Sequence, residues 1–311
     1  YDPGVGTMGS RSATTRLGKA FTRAGGLALG HGVGTNIEEA YRYLIGTWER
    51  GDRIYIFGFS RGAYTARALA GLLRTVGMLK PSAENLIPYA LKLYSSKKEG
   101  NDFWDTVTDW NASFGNPDFN RYARPVHFLG VWDTVKFVGS FNAVGWFQQR
   151  RWPFTRNVDA VAHARHAVSI DERRRTYREY LFTPEELADG RRDLRELWFA
   201  GVHSDVGGGF EEGELADITL EWMVSEAAAQ GMQLDDDHYE RHLGVPVGTA
   251  LPDAHALGEA HPARTWWFAL GGWRRRPIPT SADVHTSVRY RIEHHPDGYS
   301  PEMDGTQTFT V

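Results

Sequence analysis

A short apolar run that leads through a glycine-flanked turn into a helical segment is the feature that most constrains this chain. Residues 53–59 (RIYIFGF) are rich in β-branched and aromatic side chains, which is typical of a buried strand. A one-faced helical pattern precedes this run, starting at the N-cap candidates Thr35 and Asn36, and small residues at helical spacing follow it over residues 61–75. The order helix, strand, tight turn, helix predicts a parallel sheet with covering helices.

Two further apolar runs predict strands that end at a titratable residue. Residues 125–132 (PVHFLGVW) lead to Asp133, and residues 195–202 (RELWFAGV) lead to His203. Ligands bind to open parallel sheets at the carboxyl ends of the strands, so both side chains are expected at that edge. We therefore predict an α/β fold of the α/β-hydrolase type, with a mostly parallel central sheet and helices on both faces.

Local patterns predict three more elements. Residues 158–166 are expected to be helical, and Asp217 is expected to cap a helix that runs to about residue 229. A strand is expected near residues 287–292. The remaining C-terminal part, residues 233–311, is rich in Pro, Gly and His, and its elements are less well defined.

The chain shows no internal repeat and no low-complexity linker, so residues 1–311 are predicted to form a single domain. Residues 136–157 hold many Phe and Trp side chains among glycines and arginines. This insertion is a candidate lid or lipid-facing segment, and packing in a core is the alternative interpretation. The sequence starts at Tyr1 in a loop-like segment, and we expect one or more strands upstream of it.

Composition excludes several kinds of chemistry. The chain has no cysteine, which excludes disulfides, thiolate nucleophiles and thiolate metal sites. Its net charge of -4 argues against a nucleic-acid-binding surface. The arginine runs at 173–175 and 274–276 are therefore interpreted as solvated faces or ion-pairing positions. We expect no metal ion and no other cofactor.

The distribution of apolar residues bears on location. No apolar stretch approaches the roughly 18 residues that a membrane-spanning helix needs, and no signal peptide is recognisable at the start. We expect the protein to be made in the cytoplasm without a signal peptide. Aromatic residues make up 13 % of the chain, with 11 Trp, which suits either a large core or an apolar surface for lipid.

The turn after the first strand matches the pattern G-x-S-x-G, with Gly58, Ser60 and Gly62 at the fixed positions. A serine on a sharp strand-to-helix turn is held out above the sheet in strained backbone geometry, and glycines leave room for the strand and helix to pack closely. The amide of Arg61 at the helix N-terminus can donate to a developing oxyanion. Ser60 is therefore a candidate nucleophile.

A serine hydroxyl needs a base within hydrogen-bond reach, and the base needs a carboxylate that orients it. The order Ser60, Asp133, His203 matches the serine–acid–histidine order of the α/β-hydrolase fold. Two alternatives remain open at this point. Asp205 could be the acid, and His285 could be the base, because a base late in the chain also fits this fold.

Several long motifs together resemble one family. They are YDPGVGT at the start, FGFSRGAYTARALAGLL at 57–73, GVWDTV at 130–135, AVSIDERRR at 167–175 and FAGVHSDVGGG at 199–209. Over about residues 1–231 the chain resembles the catalytic domain of type VI secretion phospholipase effectors of the first lipase-effector class. This family was long catalogued as a bacterial and fungal domain of unknown function.

The resemblance implies a Ser–Asp–His triad in which Ser60 is the nucleophile, Asp133 the acid and His203 the base. It implies hydrolysis of glycerophospholipid esters of the phospholipase A type, contact with a membrane surface, a type VI secretion spike protein as partner, and export to the periplasm of a target cell. The alternatives are hydrolysis of another ester, a thioester or a polymer, and a non-catalytic binding domain on a hydrolase scaffold.

Overall fold

A computed structural model describes residues 31–96, 100–135, 139–141, 147–149, 152, 153, 155, 158–175, 177–262 and 272–311. In chain order the strands are β1 (Tyr55–Phe59), β2 (Val126–Trp132), β3 (Gly139–Phe141), β4 (Phe147–Gln149), β5 (Val161–Ser169), β6 (Asp193–Phe199), β7 (Asp283–His285) and β8 (Thr308–Thr310). The helices are α1 (His31–Thr47), α2 (Arg61–Thr75), α3 (Ile87–Tyr94), α4 (Asn101–Phe114), α5 (Pro184–Ala188), α6 (His203–Gly207), α7 (Glu214–Ala229), α8 (Asp236–Leu243) and α9 (Thr286–His294). Among these described helices, none combines the length and the apolar character needed to cross a membrane.

In the described part of the chain, six strands form one sheet in the order β1-β2-β5-β6-β7-β8, and β3 pairs with β4 in an antiparallel ribbon. Strands β5 and β6 run parallel, with His163 opposite Asp193 at one end and Ser169 opposite Phe199 at the other. The pairs β6–β7 and β7–β8 are parallel as well. Strands that are distant in sequence therefore lie side by side, and the predicted α/β architecture is confirmed.

The chain divides into two compact units, residues 1–129 with 136–162 and residues 130–135 with 163–311. In the first unit α2 packs against β1, and α1 packs against α2. In the second unit a cluster of buried apolar side chains surrounds Trp198 of β6. The prediction that residues 1–311 form one domain stays a prediction.

Helix α1 begins about one turn earlier than the sequence predicts. It starts at His31, so Thr35 and Asn36 lie inside the helix and do not cap it. The reason is an apolar stripe at a spacing of four that extends further toward the N-terminus than expected. The buried members of this stripe are Val33, Ile37, Tyr41 and Ile45.

The prediction of a helix over residues 158–166 is wrong, because this segment enters strand β5. Its alanines suit a helix, which made the local pattern ambiguous. In the sheet, β5 lies between β2 and β6, and Ala164, Ala167 and Val168 are fully buried. Pairing with the two neighbouring strands therefore outweighs the helix propensity of the alanines in this segment.

The prediction of a strand near residues 287–292 is also wrong, because these residues lie in α9. The strand β7 immediately precedes this helix. Val284 and Val288 are both buried, and their spacing of four suits a helix face as well as a strand end. The C-terminal part, which the sequence left poorly defined, supplies two of the six sheet strands.

Helix α7 starts at Glu214, which places Asp217 in the first turn and not at the cap. The amide of Asp217 donates to the carbonyl of Gly213, the residue that caps the helix. The acidic side chain still lies at the positive end of the helix dipole, so the residue type suits the position although the boundary was misplaced by one turn.

The aromatic insertion of residues 136–157 lies largely outside the described residues. One of its described side chains, Trp152, stacks on Tyr94 at a centroid distance of 5.7 Å. The amide of Trp152 donates to the hydroxyl of Tyr64 at 3.1 Å, and the hydroxyl of Tyr94 donates to the carbonyl of Pro153 at 2.6 Å. This part of the insertion is packed within the first unit, and a lid function for the whole insertion stays a prediction.

Candidate active site

Ser60 lies where β1 ends and α2 begins, and it is the residue that caps the helix. Its backbone has φ 60° and ψ -119°, a conformation that residues other than glycine rarely adopt. Such geometry costs of the order of 1–3 kcal/mol and persists only where the surroundings enforce it. The next residue, Arg61, opens the helix, so its amide belongs to the positive end of the helix dipole.

The two glycines of the turn differ in the space around them. A Cβ at Gly58 would lie 2.5 Å from the carbonyl oxygen of Gly62 and 2.8 Å from the Cα of Ala63, both backbone atoms. A Cβ at Gly62 would meet no atom within 4 Å. The close packing of strand on helix therefore requires glycine at position 58 only, whereas the sequence predicts the same need at both positions.

Asp133 directly follows β2 and lies buried with a positive φ of 39°. Its Oδ2 lies 2.5 Å from Nδ1 of His203, which is also buried. Its Oδ1 accepts a hydrogen bond from the amide of Ser169 at 3.0 Å, and its own amide donates to the carbonyl of Ala167. The end of β5 thus holds the carboxylate that contacts the imidazole, within the second unit.

Arg276 binds the same carboxylate from the other side. Its Nη2 donates to Oδ2 of Asp133 at 3.0 Å, and its Nη1 donates to Oδ1. The guanidinium also donates to the carbonyl of Ser169 at 3.0 Å and to the carbonyl of Tyr177 at 2.6 Å. The arginine run at 274–276 predicts only a solvated face or an ion-pairing position, and no local signal marks Arg276 as the partner of a residue 143 positions away.

The charges of this cluster set its protonation. Burial by itself raises the pKa of Asp133, but the charge of Arg276 and the hydrogen bond from His203 outweigh it and hold the pKa well below the ordinary value. Burial lowers the pKa of His203, and the opposing hydrogen bond and charge of Asp133 do not restore it. Near neutral pH, Asp133 is therefore ionised, and His203 is neutral and able to accept a proton.

His203 begins the short helix α6, and neighbouring side chains contact both its backbone and its ring. Its amide donates to Oε2 of Glu172 at 3.3 Å, and its ring meets the ring of Tyr177 edge to face at 4.9 Å. Glu172 is held in turn by Arg174, which donates from Nε at 2.9 Å and from Nη2 at 2.6 Å. Among the described residues, no cluster of three or more His, Asp or Glu side chains is arranged to hold a metal ion.

The alternative acid, Asp205, contacts a different histidine. Its Oδ1 lies 2.7 Å from Nδ1 of His261, and its Oδ2 accepts from the amide of Val202 at 2.8 Å. It also accepts from the amide of His261 at 3.1 Å. Asp205 therefore joins α6 to a later loop, and His261 is a histidine that the sequence did not single out.

The alternative base, His285, has no carboxylate partner among the described residues. Its Nδ1 accepts from the amide of Ser287 at 3.2 Å, so the imidazole caps α9. The ring stacks on Phe199 at a centroid distance of 4.9 Å. Burial lowers the pKa of His285 to about 4. These contacts explain the residue as a helix cap packed on the sheet.

The structure brings Asp133, His203 and Arg276 together within the second unit. Ser60, Arg61 and the two glycines belong to the first unit. The pairing of Ser60 with His203 stays a prediction.

Three comparisons with known proteins bear on this chain. Residues 1–226 match the family described as T6SS, phospholipase effector Tle1-like, catalytic domain. The chain is 34 % identical over 192 residues to an uncharacterized protein of Saccharomyces cerevisiae (strain ATCC 204508 / S288c), YEL023C, covering 59 % of this chain and 27 % of that protein. A solved structure titled as the Tle1 effector bound to the VgrG spike from the type 6 secretion system is 18 % identical, with a TM-score of 0.34, over 63 % of this chain and 34 % of the other. The chain thus spans about a third or less of the length of both proteins.

Proposed function

The chain belongs to the family of the Tle1-like catalytic domain of type VI secretion phospholipase effectors, and from this premise we propose that it is a serine hydrolase of glycerophospholipid carboxylic esters, of the phospholipase A type. The observation that carries the proposal is the buried contact of 2.5 Å between Asp133 and Nδ1 of His203. A carboxylate on Nδ1 orients the ring and leaves Nε2 as the proton-accepting atom. The strained turn at Ser60 adds the geometry expected of a nucleophile.

In the proposed mechanism His203 takes the proton from the hydroxyl of Ser60 while the hydroxyl oxygen of Ser60 attacks the ester carbonyl carbon. Asp133 stabilises the imidazolium that forms, and the amide of Arg61 donates to the oxyanion. The C–O bond to the lipid alcohol then breaks, and His203 returns the proton to the leaving alkoxide, which leaves an acyl-enzyme. Water, deprotonated by His203, cleaves the acyl-enzyme and releases the fatty acid and Ser60.

The contacts of the two rival residues favour this assignment. Asp205 contacts His261, and the imidazole of His285 caps a helix. Asp205 and His285 therefore do not form an acid–base pair with each other. The pKa of His285, near 4, is also low for a base that works at neutral pH. Asp133 and His203 therefore remain the better acid and base.

The proposal is tested by comparing three variants on dihexanoylphosphatidylcholine and on a p-nitrophenyl acyl ester. We expect Ser60→Ala and His203→Gln to lose roughly 10⁴-fold or more in kcat, because each removes a member of a unit that acts together. His285→Asn serves as the matched control, because asparagine also caps helices well, and it should keep activity within a few fold.

Two results would overturn the assignment. Full activity of Ser60→Ala on both esters excludes the serine mechanism, and loss of activity in His285→Asn but not in His203→Gln moves the base to position 285. A fluorophosphonate probe that labels the wild-type chain but not Ser60→Ala supports an activated serine independently of the substrate. Absence of labelling in the wild-type chain favours a non-catalytic binding domain.

Membership in this family also suggests how the protein is exported and which protein it binds. We propose that the whole protein is exported by a type VI secretion apparatus, with a spike protein as partner, and acts on membrane phospholipid in the periplasm of a target cell. Co-purification of the full-length protein with the spike protein of its own genome tests the partner. Release into the medium that persists when the spike gene is deleted would contradict the proposed route.

A further inference from the structure

A cavity of about 650 Å³ opens in the second unit beside the candidate base. Val202, the residue before His203, forms part of its wall, and so does Arg173, the residue after Glu172. Its volume falls in the range of sites that hold a small organic molecule, roughly 300–1,000 Å³. The cavity therefore adjoins the Asp133–His203 cluster without containing either side chain.

Among the described residues, four basic side chains line this cavity, which we call the arginine cavity: Arg173, His261, Arg274 and Arg275. Three of them have acidic partners: Arg274 and Arg275 have one each, and His261 has two, Asp205 and Glu212. Arg274 lies 3.4 Å from Glu179, and Arg275 lies 3.2 Å from Glu302. Arg173 is exposed and makes no salt bridge within the described part of the chain, although its charge acts on Asp171, which lines the same cavity. The basic groups are thus held only in part by protein carboxylates.

One carboxylate, Asp171, also lies among the described residues of the lining, and its contacts turn it toward the protein. Its Oδ2 accepts from the amide of Gly201 at 2.7 Å and from the hydroxyl of Tyr299 at 2.8 Å. Burial raises the pKa of Asp171, although these hydrogen bonds oppose the rise. Asp171 therefore offsets the positive charge of the arginine cavity only in part.

His261 is the fourth basic group of the lining, and both of its ring nitrogens contact carboxylates. Its Nδ1 contacts Asp205 at 2.7 Å, its Nε2 contacts Glu212 at 3.3 Å, and its ring stacks on Phe210 at a centroid distance of 3.7 Å. Burial lowers the pKa of His261, but the hydrogen bond and charge of Asp205 outweigh burial and raise it. The exposed Trp273 and Pro262 add apolar wall beside these groups.

We propose that the arginine cavity binds a phosphate group, supplied either by the headgroup of a glycerophospholipid or by free phosphate. Several guanidinium groups around one space suit phosphate, because each presents planar, charge-assisted hydrogen bonds to its oxygens. The volume leaves room for a glycerol and headgroup as well as the phosphate. The headgroup source rests on the proposed function, since the cavity adjoins the candidate base.

The test compares the double variant Arg173→Gln/Arg275→Gln with wild type. Both side chains are exposed, so the fold should persist, as circular dichroism can check. Arg241→Gln, an exposed arginine on α8 outside the cavity, is the matched control. The substrates are dihexanoylphosphatidylglycerol and dihexanoylglycerol below their micellar concentrations, which share acyl chains and differ in the phosphoglycerol headgroup.

For a headgroup site we expect the double variant to raise KM for dihexanoylphosphatidylglycerol roughly tenfold, because charge-assisted hydrogen bonds are lost. KM for dihexanoylglycerol and the kinetics of Arg241→Gln should not change. For a site that takes free phosphate, only the binding of inorganic phosphate, measured by calorimetry, should weaken in the double variant.

The proposal is overturned if the double variant binds inorganic phosphate as wild type does and its KM values for both substrates change equally or stay unchanged. The calorimetric measurement needs no catalysis, so it separates this proposal from the serine mechanism. A wild-type chain that cleaves neither substrate contradicts the proposed function, while the comparison of phosphate binding still decides whether the arginine cavity is an anion site.

Discussion

The Asp133 carboxylate contacts two side chains at once, an imidazole on Oδ2 and a guanidinium across both oxygens, besides the amide of Ser169 on Oδ1. Burying a charge is costly unless it is paired and hydrogen-bonded, and a buried ion pair adds little net stability over apolar packing. The arrangement is therefore better explained by positioning. Arg276 keeps Asp133 ionised and in place, and Asp133 in turn orients His203.

The pH dependence of activity should reflect the lowered pKa of His203. A base acts in its neutral form, so kcat/KM on a soluble ester should fall as pH drops through a value below the ordinary histidine pKa of about 6.5. The effect on stability has the same sign. The unfolded histidine gains its proton first as pH falls below about 6.5, so stability declines from there downward. An acidic limb of kcat/KM at or above pH 6.5 would contradict this assignment.

Removing the guanidinium should destabilise the fold more than removing both charges. We expect Arg276→Gln to lower the free energy of unfolding by about 3–5 kcal/mol, because it leaves a buried carboxylate without its cation. Measured in urea, the double variant Asp133→Asn/Arg276→Gln should lose less free energy of unfolding than Arg276→Gln alone, and therefore less than the sum of the two single variants. Strict additivity would show that the two side chains do not stabilise each other.

At the scale of elements, the turn from β1 to α2 depends on one glycine. Gly58→Ala places a Cβ 2.5 Å from a backbone oxygen that cannot move independently of α2, and such overpacking typically costs about 1–3 kcal/mol. Gly62→Ala is the matched control, because nothing lies within 4 Å of the added atom and alanine favours a helix by about 1 kcal/mol. In urea the first variant should unfold at a lower midpoint, and the second at an equal or higher one. Equal midpoints for both variants would contradict the packing argument.

Elements with a strong pattern were predictable, and those that depend on neighbours were not. The run RIYIFGF and the helix after it lie where the sequence predicts, because both carry an apolar pattern of their own. Strand β5 is different, because its alanines and histidines carry no clear period and its position between β2 and β6 decides its conformation. The three residues of β7 are too few for any local pattern to mark them.

At the scale of the whole molecule, strands β2 and β5 each contribute residues to both compact units. A strand cannot lose its pairing in one half without disturbing the other half, so we expect one cooperative transition in urea. Tryptophan fluorescence and far-ultraviolet circular dichroism should give coincident curves. Two separate transitions would show that the units unfold independently and would contradict the prediction of a single domain.

The sequence by itself determined the α/β class, the strand end that carries Asp133 and the strand–turn–helix around Ser60, because each is recorded in a continuous stretch of chain. The strand predicted over residues 195–202 lies at Asp193–Phe199, so His203 does not follow the strand directly but begins α6. Only the tertiary structure decided that Asp133 contacts His203 and not another histidine, that Arg276 binds the same carboxylate, and that Asp205 belongs to His261. It alone also gathered three arginines and a histidine around one cavity. The physical reason is that pairing between residues tens of positions apart depends on how strands and loops pack, and no local pattern of residues contains that information.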